Sequence, residues 1–274
     1  MTISQKKLGL RKRLLTRSFL LRRLFVFLTG RSQLHSGWTS PKRGRKALEK
    51  IEREGDCIVL FGAGCDKKGL PHAHTLIRCQ LERRLRIKMP HYKYTIVSGS
   101  KRGLDREYRE KHDRATEAGQ IIRYLVRAGR ELDDFLPEKH ALETIGNVVF
   151  SMRLVLRHGL SCPVFLSQKT HLLRIRPGID YWLRGSGIRR HYMPVDEVGR
   201  KEAIEEYVGQ GEDAYIDEEQ GLGHVDQFTW SGVPPLVSLR WEENRHSFEA
   251  AVRWLFENDA RYPQKYNLPE LLED

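Results

Sequence analysis

Cys57-Ile58-Val59-Leu60-Phe61-Gly62-Ala63-Gly64 decides the reading of the fold. Five apolar residues run without interruption into a pair of glycines. A half-exposed strand would alternate and a surface helix would show a 3.6-residue period. An unbroken apolar run of strand length fits a strand covered on both faces, as in a parallel sheet. The pattern recurs along the chain. Tyr94-Thr95-Ile96-Val97 stops in Ser98-Gly99-Ser100, Phe135-Leu136 is a short third strand, Pro163-Val164-Phe165-Leu166 a fourth, and Ile188 to Met193 a fifth. Helical periodicity fills the gaps: about His74 to Arg86, Thr116 to Ala128 before Gly129, Thr144 to His158 before Gly159, and His171 to Leu183. This alternation predicts an α/β, Rossmann-like three-layer sandwich with a mainly parallel sheet. Right-handed crossovers would set every strand-to-helix loop along one edge.

Outward from that core the chain changes character. Pro41 to Gly55 reads as a basic linker running into a short charged helix, with the globular body starting near Asp56. Beyond Asp196 the pattern weakens. Lys201 to Val208 reads as helical, Gly209 to Gly223 as an acidic, glycine-rich surface loop, and Ser247 to Asn258 as an amphipathic helix. Three segments are therefore expected: a basic leader over 1–48, an α/β core over 56–195, and a helical extension over 196–274 packed on that core.

The net charge of +12 is not a property of the body. Thirteen Lys and Arg and no acidic residue fall within 1–48. That leaves 35 of the 48 basic residues to set against all 36 acidic ones, a net of −1 for the rest. A nucleic-acid-binding face is not expected on so neutral a body. The leader mixes Lys/Arg with Leu and Phe and admits several readings: a solvated extension, a helix lying on a membrane surface, an organelle transit peptide, or an arm on phosphates. Its most apolar stretch, Phe19 to Leu28, is cut by Arg22 and Arg23, which excludes a spanning helix there. The expected location is cytoplasmic, with peripheral membrane contact or organelle targeting as alternatives. Cys57, Cys65, Cys79 and Cys162 form no CxxC pair and read as reduced thiols. Cys65, His72, His74 and Cys79 are irregularly spaced for a metal, and none is expected.

Ligands of open α/β sheets bind beyond the carboxyl ends of the strands. The residues expected there are Gly62 and Gly64, Ser98 and Gly99, Glu138, and Ser167 to His171. Small residues admit a ligand to the backbone, and helix starts favour an anion. His171 and Arg174 stand one helical turn apart, suited to grip a phosphate or carboxylate while His171 moves a proton. Glu138 and Glu117 are candidates for general acid or base, or for orienting that pair, and equally for structural caps. Thr144 is a natural N-cap, and Asn147 one turn on suits a contact with ligand or loop. Ser98 lacks a nucleophile-elbow sequence and reads as a backbone contributor. Neither a complete GxGxxG nor a Walker A sequence is present, so the nicotinamide-dehydrogenase and P-loop signatures are missing.

Taken in order, these elements resemble the YdcF-like family, the group of bacterial envelope factors that includes the ElyC and SanA types. The match runs from the small-residue loop, through an R-x-x-x-A/L-type helix, Ile96-Val97-Ser98-Gly99-Ser100 and Glu117-Ala118, to Glu138-x5-Thr144-x2-Asn147 and His171-x2-Arg174. It covers roughly Asp56 to Val195. The family Ser falls on Ala141, the family Glu before Asn147 on Gly146, and the Thr-Ser pair reads Ser167-Gln168. The resemblance implies a Rossmann-like fold and a nucleotide-type ligand. S-adenosylmethionine or a phosphorylated envelope precursor would be examples. It implies no particular reaction, so a non-catalytic regulatory or membrane-surface factor on the same fold stays open. The ligand-site set is thus His171 and Glu138 as catalytic candidates, with Gly62, Gly64, Ser98, Gly99, Glu117, Thr144, Asn147 and Arg174 as binding candidates.

Overall fold

The computed structural model describes residues 41–101, 104–195 and 233–273, without the side chains of 41–45, 169, 170, 173 and 174. Residues 1–40 of the leader, the expected helix at Lys201 to Val208 and the loop to Gly223 lie outside the described residues. Two compact units divide the chain, Met1–Glu49 and Lys50–Asp274.

Helix α1 (Pro41–Glu54) runs further than the short charged helix expected, and its Ile51 is buried in the body. Strand β1 (Cys57–Phe61) follows, then α2 (Ala73–Arg86), β2 (Tyr94–Ser98), α3 (Arg106–Lys111) and α4 (Glu117–Arg127). Next come β3 (Phe135–Glu138), α5 (Thr144–Arg157), β4 (Pro163–Ser167), α6 (Lys169–Trp182) and β5 (His191–Pro194). The described chain ends in α7 (Trp241–Asn258), α8 (Arg261–Lys265) and α9 (Leu268–Glu273).

All five strands pair in parallel in the order β3-β2-β1-β4-β5. This is a Rossmann-like α/β sandwich. Every residue of β1 and of β4 is buried, which is why neither strand alternates in sequence. Cys57, Val59 and Phe61 face the layer built by α5, α6 and α7, where Phe61 stacks on Phe165 and Phe165 on Tyr192. The α2 and α4 helices cover the opposite face.

On that second face a buried ion pair is built into the packing. Arg130, just past α4, bonds Glu82 of α2, and both side chains are at most 1% exposed. Thr95 of β2 donates to the same Glu82 oxygen at 2.7 Å, and Tyr92 accepts from Arg130 at 2.8 Å. The guanidinium lies 4.8 Å over the Phe135 ring. So many partners are what makes two buried charges tolerable.

The C-terminal helices seal the α5 side. Helix α7 begins six residues earlier than the periodicity indicated, because Asn244 ties its first turn to Val237, Ser238 and Arg240. Tyr262 is fully buried, and its hydroxyl accepts from the Leu142 amide at 3.1 Å. Arg153 of α5 donates to the Leu271 carbonyl at 2.7 Å.

Candidate functional site

The strand order reverses between β1 and β4, which both start crossovers to opposite faces. In open α/β sheets such a reversal is where ligands bind, beyond the strand ends. Helices α2 and α6 follow those two strands, and neither carries a side-chain N-cap bond, at His72 and Gln168 respectively. The helices after β2 and β3 are capped by side chains: Asp105 for α3, Thr116 for α4 and Glu143 for α5. Side-chain capping is thus present on the helices that follow β2 and β3 and absent from those that follow β1 and β4. Gln168 also donates from Nε2 to the His74 carbonyl at 3.2 Å, so the two uncapped N-termini are neighbours.

His171 sits in the first turn of α6. Its ring packs edge-on against Phe61, the last residue of β1, with centroids 5.5 Å apart. Nδ1 is 2.7 Å from the Ser167 hydroxyl at the end of β4. With the hydroxyl donating, Nε2 of the neutral ring carries the proton. Arg174 belongs to the next turn of α6, and its side chain lies outside the described residues.

The carboxyls form a separate cluster beneath the β1, β2 and β3 ends. Glu117 opens α4 and is 6% exposed, and its Oε1 accepts from the Gly64 amide at 2.5 Å. Its carboxylate occupies the space that side chains at Gly62 and Gly99 would need. A Cβ at Gly62 would stand 2.1 Å from Oε1, and one at Gly99 2.6 Å from Oε2. Gly64 itself adopts φ 99°, a left-handed conformation that only glycine takes without strain. Burial pushes the Glu117 carboxyl up to about 7, against the pull of the Gly64 and Ala63 amides and Arg78; Glu138 adds a smaller push upward. Burial dominates because the group is almost wholly out of water.

Glu138 ends β3. One oxygen takes the Ser98 hydroxyl at 2.5 Å, and the other takes the His140 and Ala141 amides at 2.6 and 2.9 Å. Burial raises its pKa as well, opposed by those three donors and by Arg153. Ser98 also meets Asn147 Oδ1 at 2.9 Å. A hydroxyl has one proton, so either Asn147 presents its amide nitrogen or Glu138 is protonated and donates.

The structure thus gathers the sequence candidates into two groups rather than one: Gly62, Gly64, Gly99 and Glu117 with Ser98, Glu138 and Asn147; and His171 with Ser167. It also changes three expectations. Thr144 does not cap α5; it is the first helical residue, and Glu143 caps instead, accepting from the Ile145 and Gly146 amides. Ser98 is engaged by Glu138 and Asn147. The glycine loops do not offer bare amides: Gly62 donates to the Ser98 carbonyl, Ala63 to Thr75 Oγ1, Gly64 to Glu117 and Gly99 to the Glu138 carbonyl. Their smallness makes room for a carboxylate of the chain itself.

Reading the sequence alone missed Arg78, which is 2% exposed and clamps the end of β1 by bonding the Phe61 and Gly62 carbonyls. An arginine on the apolar stripe of α2, three residues before Leu81, was the available signal. It also missed Glu143. The Gly146 departure has a local cause, since a Cβ there would lie 2.0 Å from the Tyr262 hydroxyl. Cys65, His72, His74 and Cys79 do not gather. Among the described residues, the one group of three or more His, Cys, Asp or Glu with metal-like spacing is Glu54, Cys162 and His191. No described helix is long and apolar enough to cross a membrane. No protein-family model matches the chain, and no curated protein or solved structure matches it.

Proposed function

We propose that the chain binds a small anionic ligand in the crevice between β1 and β4, with its phosphate- or carboxylate-type group against the first turns of α2 and α6. The observation that carries this reading is the adjacency of two uncapped helix starts, tied by Gln168 to His74, at the point where strand order reverses. Helix-start amides favour an anion by their partial charge. His171, oriented by Ser167, adds a donor at the same place. Arg174, one turn on, would add a cation. The resemblance to the YdcF-like family supports a nucleotide-type ligand, S-adenosylmethionine or a phosphorylated envelope precursor. Catalysis would fall to His171 as proton carrier. Glu138 and Glu117 support the strand ends from within.

A second reading, a non-catalytic factor held at a membrane surface, is favoured by the thirteen basic and no acidic residues of 1–48. Binding of the full chain to vesicles containing anionic lipid, lost on deleting 1–40, would support it.

The test is a thermal-shift screen of the full chain against S-adenosylmethionine, nucleotides, sugar nucleotides and inorganic phosphate. A ligand at a hundred times its dissociation constant adds about 2.7 kcal/mol, a rise in melting temperature of about 5–10 °C at this size. The reading expects a shift that His171→Ala removes. No shift with any anion, or one that His171→Ala leaves intact, would overturn it.

A further inference from the structure

On the opposite edge of the sheet, three side chains that the β1/β4 crevice does not use converge from distant parts of the sequence. Glu54 ends α1, Cys162 immediately precedes β4, and His191 opens β5. A carboxylate oxygen, the thiol sulfur and an imidazole nitrogen all lie within 4.8 Å of one another. We propose that Glu54, Cys162 and His191 bind a zinc-like divalent cation through one donor each.

The donor chemistry selects the class of ion. Thiolate, imidazole and carboxylate are together the ligands of zinc, whereas calcium and magnesium prefer oxygen alone. Three protein ligands leave a fourth tetrahedral position for water or an outside donor. The spacing also fits. Tetrahedral zinc at its usual bond lengths holds its ligand atoms about 3.3–3.6 Å apart. His191 Nε2 and Glu54 Oε2 already stand 3.4 Å apart, so closing the widest pair takes about 1 Å of side-chain movement.

Two further observations point to a ligand rather than to chance proximity. His191 Nε2 is buried without a well-formed hydrogen bond, its contact with Glu54 Oε2 being a long 3.4 Å. A buried ring nitrogen left this way costs stability unless something bonds it. Cys162 is also held from behind. Asp56 accepts from the Ser161 amide at 2.6 Å, the Ser161 hydroxyl at 3.0 Å and the Cys162 amide at 3.0 Å. The Asp56 amide returns to the Cys162 carbonyl at 3.2 Å. Such support fixes a ligand residue before the ion arrives. The opposing charges are movable: Arg53 bonds the other Glu54 oxygen at 2.9 Å with its side chain 72% exposed, Arg189 lies 3.9 Å from Glu54 and is 61% exposed, and Lys50 is exposed, so all three can swing into water.

The experiment treats the full chain with chelator and titrates it with Co²⁺, then with Zn²⁺ as competitor. The expected result is saturation at one equivalent, with tetrahedral d–d absorption and a thiolate-to-cobalt charge-transfer band, both removed by zinc. Cys162→Ser should abolish the charge-transfer band, His191→Ala should weaken binding by at least about tenfold, and Cys65→Ser should change neither. Glu54→Gln, at a helix end, gives an independent reading should Cys162→Ser not fold, and should also weaken binding. No saturable absorption near one equivalent, a spectrum without charge transfer, or a spectrum that survives Cys162→Ser would overturn the proposal.

Discussion

Glu117→Gln is the sharpest single perturbation of the carboxyl cluster, because it keeps the shape and removes only the ability to ionise. Burial holds the Glu117 carboxyl at about 7, against an ordinary value of 4.5. The folded protein therefore binds this proton more tightly than the unfolded chain does. Below 4.5 both states are protonated and the group contributes no difference. Between 4.5 and about 7 the unfolded chain loses its proton first, so folded stability falls as pH rises, and the loss is complete above 7. At 1.36 kcal/mol for each tenfold change in proton affinity, the full cost is about 3 kcal/mol. Glu143, raised to about 6 by burial against its two amide donors, bends the curve in the same direction. It is present in both proteins and cancels in the comparison. Denaturant unfolding at a series of pH values, extrapolated to water, reads the difference directly. Glu117→Gln minus wild type should rise by about 2.5 kcal/mol from pH 5 to pH 8, whatever its starting offset. A difference that stays flat across that window would refute the account, for it would mean that Glu117 ionises as easily in the fold as in water.

Other consequences follow from the same contacts. Gly62→Ala places a methyl 2.1 Å from the Glu117 carboxylate and should destabilise by about 1–3 kcal/mol; in a Glu117→Ala background most of that cost should vanish, as a double-mutant cycle by denaturant unfolding would read. Arg130→Met strands the buried Glu82 carboxylate and should cost about 3–5 kcal/mol, whereas the pair Arg130→Met with Glu82→Met should recover much of it, both read from unfolding curves. Tyr262→Phe removes the hydroxyl that the Leu142 amide donates to and should lower stability by about 1–3 kcal/mol in the same assay, with the helical circular dichroism retained.

The layered fold was legible because the strands are covered on both faces. Runs such as Cys57–Phe61 and Pro163–Ser167 have no solvent side, so they announce themselves by unbroken apolarity. Edge strand β5 was harder. Ile188 is buried and apolar, yet the ladder with β4 pairs only His191–Pro194, and the sequence run began the strand three residues early. Helix α5 was placed correctly while its cap was not. Threonine is the stronger intrinsic N-cap, but here Glu143 reaches two amides while its backbone is extended. Helices α8 and α9 are five and six residues long, and what holds them is remote: the Tyr262 hydroxyl on Leu142 and the Leu271 carbonyl on Arg153. No local periodicity carries such information. The candidate site shows the same division. Its residue types and loops could be read from the strand ends, but a sequence gives no sign that a glycine amide is already taken by a glutamate 53 residues away.

That occupancy changes what the glycine loops are for. Small residues after a parallel strand suggest a cradle for phosphate, yet in this chain the Gly62, Ala63, Gly64 and Gly99 amides all have internal acceptors. A carboxylate already fills the position that an anion would seek, and Arg78 and Glu117 bracket the end of β1 from the two sides of the same loop. An anion driven to that loop would meet a carboxylate that is itself ionised above about pH 7, a repulsion added to a steric conflict. The electrostatics at this loop therefore disfavour negative charge, and the proposed anion site would have to lie nearer α6, where His171 stands on Phe61. For the proposed anion site, Glu117 would then act on selection from outside, by denying anions the neighbouring loop.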